Sequence, residues 1–392
     1  MEFSPLTGRI GGQGAAVWGI HFEALRQRAA GREVIVLSVG EPDQAPPARL
    51  IAATQAALAA RAVGYSPILG ERDLRRAIAA RMERRSGAGC GAENVAVLPG
   101  AQGGLYAVLQ CLAGPEDEVI VPEPMYATYE AVVGASGARL VSVPLRPERG
   151  FHLDPAELAA AVTGRTRVVW INTPHNPTGA VMTRAEMEAV GGICRRHHLW
   201  LVSDEVYEEL AFAREHVSAW SLAGAGERRV VVSSLSKSHA APGFRLGWAV
   251  APEPLVGHLF NLLLCMQYGG PPFVQAGAAA ALAEDLPEVA ALAADYRRRA
   301  ARMVQSLAAA PGCRAHPPEG GMFLMLDVRA SGLGAEAFAR ALLEREAVSV
   351  LPCDGLGANG AGHLRIGLAA PDDLLAEAAR RIVRFAAGLA GR

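Results

Sequence analysis

Val168-Val169-Trp170-Ile171-Asn172-Thr173-Pro174-His175-Asn176-Pro177-Thr178-Gly179 is a β-branched and aromatic run that gives way to polar and turn-forming residues. A short apolar run bounded by such residues predicts a buried strand. The pattern recurs at Leu199-Trp200-Leu201-Val202, followed by Ser203-Asp204-Glu205-Val206-Tyr207, and at Val230-Val231-Val232, followed by Ser233-Ser234-Leu235-Ser236-Lys237. Working outward, strands are expected at Val95 to Leu98, Glu118 to Val121, Arg139 to Val143, Arg167 to Ile171, Leu199 to Ser203 and Val230 to Ser233. Helical patterns lie at Arg49 to Ala60, Leu105 to Leu112 and Arg184 to His197. Strands alternating with helices predict an α/β fold with a largely parallel sheet and right-handed crossovers. In such sheets ligands bind outside the carboxyl ends of the strands, where these polar residues fall.

Beyond a stretch free of Asp, Glu, Lys and Arg, Pro254 to Ala283, an amphipathic helix is expected from Pro287 to Ala308, with Arg297, Arg298, Arg299 and Arg302 on its polar side. A smaller α+β unit follows, with strands at Gly321 to Val328 and His363 to Leu368 and a helix at Ala335 to Arg345. The division expected is an N-terminal arm and small-domain segment (1-45), a large domain (46-285) and a C-terminal small domain (286-392), the long helix serving as the joint.

The 38 Lys and Arg residues nearly balance 39 Asp and Glu, so no excess charge steers a nucleic acid or an anionic membrane to the chain. The charge-free stretch is broken by polar residues and by Gly269-Gly270-Pro271-Pro272, which leaves no 18-residue apolar span, and Met1 to Gly14 has no apolar core of a signal peptide. These features point to a cytoplasmic protein. Six cysteines lack any C-x-x-C pair and are read as reduced core residues. The ten histidines include no H-E-x-x-H, and no metal site is expected.

Of the 38 basic residues, 37 are Arg; the one lysine is Lys237. Guanidinium stays protonated, whereas a buried ammonium can lose its proton and attack a carbonyl, so a lone Lys among so many Arg is a candidate nucleophile. A surface lysine that survived a coding bias is the alternative. Taken singly, the other motifs are equally open: Asp204 could cap a helix, Asn176 could serve a turn before Pro177, and Tyr126 and Tyr207 could simply pack.

Asn176-Pro177-Thr178-Gly179, Ser203-Asp204-Glu205-Val206-Tyr207 and Ser234-Leu235-Ser236-Lys237, with Arg245 eight residues later, stand in that order. Together they resemble the fold type I pyridoxal-phosphate aminotransferases of classes I and II. The likeness runs from Leu37-Ser38-Val39-Gly40-Glu41-Pro42-Asp43 to Arg365-Ile366-Gly367-Leu368. It implies a large domain with a mostly parallel seven-stranded sheet between helices, a smaller α+β domain, and pyridoxal 5'-phosphate as cofactor. By the same resemblance Lys237 forms the Schiff base and shuttles the proton, Asp204 pairs with the pyridine nitrogen, and Asn176 and Tyr207 bond the phenolic oxygen. Tyr126 stacks on the ring. Gly100, Ala101 and Gln102 at a helix start, with Ser234, Ser236 and Arg245, cradle the phosphate. Tyr65 reaches the phosphate of a neighbouring subunit, which implies a homodimer with shared active sites. Arg365 takes the substrate carboxylate, flanked by Gly40 and Asn176.

Within this family the chain is similar to the bacterial arginine:pyruvate transaminases in Gly14-Ala15-Ala16-Val17-Trp18, Glu215-His216-Val217-Ser218 and Leu264-Cys265-Met266-Gln267-Tyr268-Gly269. That implies transfer of an amino group between an L-amino acid, arginine or a related guanidino compound, and a 2-oxo acid. Trp18 and Tyr268 are the aromatic candidates for a guanidinium partner. Alternatives on the same scaffold are amination of a cyclic guanidino keto acid of the enduracididine type in antibiotic biosynthesis, and a lyase or cyclase. Many relatives read G-E-P-D-F-x-T-P, whereas here Asp43 precedes Gln44-Ala45-Pro46, so the pocket rim differs.

Overall fold

A computed structural model describes residues 2–222 and 228–390. Its strands, in chain order, are β1 (Ile35–Val36), β2 (Val95–Leu98), β3 (Glu118–Glu123), β4 (Arg139–Pro144), β5 (Thr166–Asn172), β6 (Trp200–Asp204), β7 (Arg229–Ser234) and β8 (Gly247–Val250). The C-terminal part adds β9 (Arg314–His316), β10 (Phe323–Asp327), β11 (Val348–Ser349), β12 (Leu351–Pro352) and β13 (His363–Gly367). Seven of them form the central sheet in the order β2-β8-β7-β6-β5-β3-β4. All its pairings are parallel except those of β8, which runs antiparallel to both neighbours.

Strands covered by helices on both faces read as continuous apolar runs, and alternate residues feed two different cores. Val168 and Trp170 of β5 pack with Val202, Val230 and Val232 on one face, while Val169 and Ile171 join Leu201 and Val231 on the other. The six expected strands fall within a residue or two of their observed bounds. β8 was not anticipated, because Gly247-Trp248-Ala249-Val250 is short and half of it is Gly and Ala. The helix expected from Leu105 begins at Gly100, so Gly100, Ala101 and Gln102 form its first turn. The Thr183 and Glu186 side chains reciprocally cap the helix Arg184–Arg196, which fixes its start.

The second sheet has the order β12-β13-β10-β9, and β1 pairs with β11 in parallel. Leu324, Leu326, Leu364 and Ile366 bury one face of that second sheet against Phe338 and Leu342 of helix Ala335–Glu346 and Ile382 of helix Asp372–Ala390. Ile20, Ala24, Ile35 and Leu37, from the start of the chain, share this core. The helix Pro287–Leu307 begins in the large core at Val289 and continues into the smaller one through Leu292, Tyr296, Ala300, Met303 and Leu307. Arg299 departs from its expected place on the polar side: it is buried and forms a bidentate pair with Asp43 at 2.7 and 2.8 Å. Cys265 likewise departs from the expected core position and is exposed.

Candidate active site

The parallel registers that align β5, β6 and β7 also align their last residues. Asn172 pairs with Asp204, and Asp204 with Val232, two residues before Ser234. A cavity of ≈ 230 Å³ opens at these carboxyl ends, and Gly40, Phe323 and Arg365 close its far side. The site therefore forms where the small sheet meets the large one.

Lys237 lies in a single helical turn, Leu235–Ser238, directly after β7; the Ser234 hydroxyl accepts from the Ser236 N–H at 3.2 Å and starts that turn. The Lys237 Nζ donates to the Gly40 carbonyl at 2.6 Å. Burial lowers its pKa to about 8, and the positive charge of Arg365 acts in the same direction. Gly40 can be nothing larger, since a Cβ there would lie 2.2 Å from the Phe323 ring.

Asp204 is buried at the end of β6. Its Oδ2 accepts from the Tyr129 hydroxyl at 2.6 Å and its Oδ1 from the Val206 N–H at 3.2 Å. Burial raises its pKa to about 6, against the opposing effect of these two donors. Asn172 Nδ2 donates to the Asp204 backbone carbonyl at 2.9 Å, and Asn172 Oδ1 accepts from the Asn176 N–H at 2.7 Å. Asn176 thereby turns its side chain inward, with Nδ2 3.4 Å from the Tyr207 hydroxyl and Oδ1 accepting from Arg365 Nη1 at 3.0 Å.

Arg365, on β13, is 2% exposed. Its Nη2 donates to the Ser38 carbonyl at 2.8 Å, its Cζ stacks 4.1 Å from the Phe323 ring centroid, and its Nε has no hydrogen-bond partner among the described residues. A buried guanidinium with a free N–H and only neutral partners calls for an anion. Arg245 lies at the other end of the cavity. Gly100 has φ +76°, and a Cβ there would meet Arg245 Nη2 at 2.5 Å, so this glycine lets the guanidinium lie against the start of helix Gly100–Leu112.

The donor set fits pyridoxal phosphate. First-turn N–H groups, the Ser234 and Ser236 hydroxyls and Arg245 would take the phosphate, Lys237 the aldehyde carbon, and Asp204 the pyridine nitrogen. Of the residues singled out in the sequence, Trp18, Gly40, Ala101, Gln102, Tyr126, Asn176, Asp204, Tyr207, Ser234, Ser236, Lys237, Arg245 and Arg365 line this one cavity. Gly100 lies behind it. Tyr65 is outside it, 89% exposed, with its ring 5.3 Å from that of Tyr268; Tyr268 is also outside, so of the two aromatic candidates for a guanidinium partner it is Trp18 that lines the cavity. Tyr129, Asn172 and Phe323 were missed. Asn172 had a signal, as the polar residue ending a strand, whereas nothing local marks Tyr129 or Phe323.

The chain matches the family model described as aminotransferase class I and II over residues 32–382. It is 51% identical over 392 residues, all of both chains, to an arginine–pyruvate transaminase of Pseudomonas aeruginosa. It is 32% identical to an aspartate aminotransferase of Bacillus subtilis, covering 93% of this chain and 94% of the other. Among solved structures, the aspartate aminotransferase of Thermus thermophilus with maleate superposes with a TM-score of 0.89 at 30% identity, covering 94% and 96% of the two chains. The N-succinyldiaminopimelate aminotransferase of Mycobacterium tuberculosis gives 0.90 at 34%, covering 98% and 100%.

Proposed function

Because this chain belongs to the class I and II aminotransferases, a family that works with pyridoxal 5'-phosphate, we propose that it transfers the amino group of L-arginine to a 2-oxo acid such as pyruvate. The single observation behind the chemistry is one cavity holding an amine of lowered pKa, a buried carboxylate and a buried arginine with a free N–H. The full-length identity to an arginine–pyruvate transaminase supports the donor. It favours arginine over a cyclic guanidino keto acid and transamination over elimination or cyclisation.

When bound, the cofactor supplies an electron sink for the pair left when a proton leaves the substrate α-carbon. The chain's residues then divide the work. Lys237 Nζ would hold the cofactor's aldehyde carbon and would take and return the substrate α-proton; a pKa of about 8 suits both directions. Asp204, as a carboxylate, would keep a proton on the pyridine nitrogen. Tyr207 and Asn176 would donate to the phenolic oxygen, and Tyr126 would stack on the ring. Arg365 binds the substrate carboxylate through its free N–H, while Asn176 and Phe323 hold the guanidinium in place. Trp18 lines the cavity and would offer a guanidinium an aromatic surface.

The reading includes a homodimer. Tyr65 and Tyr268 form an exposed aromatic pair, and Tyr65 serves the phosphate of the partner's site. Two domains, with the joint at helix Pro287–Leu307, and a cytoplasmic location belong to the same reading. Among the described residues, no helix is long and apolar enough to cross a membrane.

The test is an absorbance spectrum of the protein with pyridoxal phosphate, titrated with L-arginine, L-alanine and a panel of other amino acids. Visible absorbance that bleaches with L-arginine supports the proposal. Bleaching only with another donor keeps the transaminase and discards arginine; no visible band at all overturns both.

A further inference from the structure

Away from the active site, the strand pairing of the second sheet assembles a group of residues that are far apart in the sequence. Asp327 and His363 are direct cross-strand partners on β10 and β13, and His316 on β9 pairs with Met325, two residues before Asp327. Residues two apart on a strand share a face, so His316, Asp327 and His363 project to the same side. Their ligating atoms all lie within 4.8 Å of one another, and His363 Nε2 is 4.0 Å from Asp327 Oδ2.

The imidazoles are set up as ligands. His363 is 1% exposed and its Nδ1 lies 3.0 Å from the Ala361 carbonyl. A carbonyl can only accept, so Nδ1 carries the hydrogen and Nε2 the lone pair; this is the outer hydrogen bond that orients metal-ligating histidines. The Nε2 atoms of His363 and His316 are both buried and have no hydrogen-bond partner among the described residues, a costly arrangement for polar atoms unless something else binds them. Phe151 covers the rings edge-on at 5.1 and 5.7 Å.

We propose that His316, Asp327 and His363 bind one divalent transition-metal ion, zinc or a metal of similar preference, with a water completing four-coordination. Two imidazoles and one carboxylate match zinc's ligand preference. A hard ion such as calcium or magnesium is disfavoured, since only one carboxylate is present; that carboxylate accepts from Arg329 through N, Nε and Nη2, so zinc would share it with Arg329 or displace the guanidinium. Arg314 and Arg329 add positive charge near His316, and Asp327 opposes it. Zinc bond lengths place tetrahedral donors roughly 3.3 Å apart, so the cluster must tighten on binding. His316 can supply that movement because β9 is the edge strand of its sheet. His363 precedes Arg365 by two residues on the same face of β13, so the ion would also anchor the strand that carries the active-site arginine.

The experiment is equilibrium dialysis of chelator-treated holoenzyme against zinc chloride and, separately, cobalt(II) chloride. The expected result is one ion per chain, with cobalt ligand-field bands outside the cofactor's own absorbance. Binding should weaken by about tenfold or more in His316→Gln and in Asp327→Asn, and should be unchanged in His197→Gln. Retained transaminase activity shows that the variants fold. Absence of stoichiometric binding by the wild type, or equal binding by His316→Gln and wild type, overturns the proposal.

Discussion

Replacing Tyr129 by Phe isolates the control of the Asp204 charge. The substitution keeps the ring, which packs 4.3 Å from Trp170 and 5.6 Å from Tyr126, and removes only the hydroxyl that donates to Asp204 Oδ2 at 2.6 Å. A hydrogen bond to a charged group contributes roughly 1.5–3 kcal/mol. One pKa unit corresponds to about 1.36 kcal/mol, so losing the donor should raise the Asp204 pKa by about one to two units. The sign follows because the donor stabilises the carboxylate and not the acid. In the cofactor-free protein the pKa is about 6, so the variant should titrate at about 7 to about 8 by the same conversion. Since the carboxylate is the form that pairs with a protonated pyridine, pyridoxal phosphate affinity should fall as pH drops through these values. The assay is cofactor affinity of the cofactor-free protein between about pH 5 and about pH 9. The titration of the cofactor itself is common to both proteins and cancels in the comparison. An unchanged midpoint in Tyr129→Phe, or a loss of affinity uniform across the range, would refute the role assigned to this hydroxyl.

Three further outcomes are expected. Lys237 has a pKa of about 8, so its neutral amine fraction, and with it the rate at which pyridoxal phosphate is captured, should rise about tenfold from pH 7 to pH 9 and then level off. A rate still climbing steeply above pH 9 would mean an unperturbed lysine. Gly40→Ala pushes a methyl into the Phe323 ring, displacing both the support of Arg365 and the carbonyl that holds Lys237; kcat/KM should fall by about 10²-fold and overpacking should lower stability by about 1–3 kcal/mol, and near-normal values of both would contradict the packing argument. Asp204→Asn should stabilise the cofactor-free protein at pH 7 by about 2–3 kcal/mol while abolishing transamination. The raised folded pKa means the native state holds a proton that the unfolded chain releases, so the carboxylate lowers stability as pH rises from about 4 to about 6. Denaturant unfolding at pH 4 and pH 7 checks it, the gain appearing only at the higher pH.

Much of the fold was legible because parallel strands buried on both faces leave unbroken apolar runs, and a strand's last residue in the sequence is also its last in space. Asn172, Asp204 and Ser234 could therefore be placed at one edge of the sheet before any coordinates. The family resemblance implied roles for Asn176, Tyr207 and Arg245 that spacing alone left open, and the structure brings all three to one cavity. Harder to read were residues whose partners lie on other elements. Tyr129 meets Asp204 across 75 positions, and Phe323 meets Arg365 only because β10 and β13 pair. Arg299 looked like one of a solvated run, and only the packing of the long helix against Asp43 buries it. His316, Asp327 and His363 have no ligand spacing at all; register alone gathers them.

The sequence by itself determined the alternation of strands and helices, the identity of the one possible amine nucleophile, and the polar strand ends that surround it. Those properties are local, set by side-chain periodicity and by which residue types can perform a given chemistry. The tertiary structure decided which charges are buried, which hydrogen bonds hold Asp204 and Arg365 in their working forms, and which distant side chains share a face. Desolvation and cross-strand register depend on what packs against a residue, and that is a property of the assembled fold.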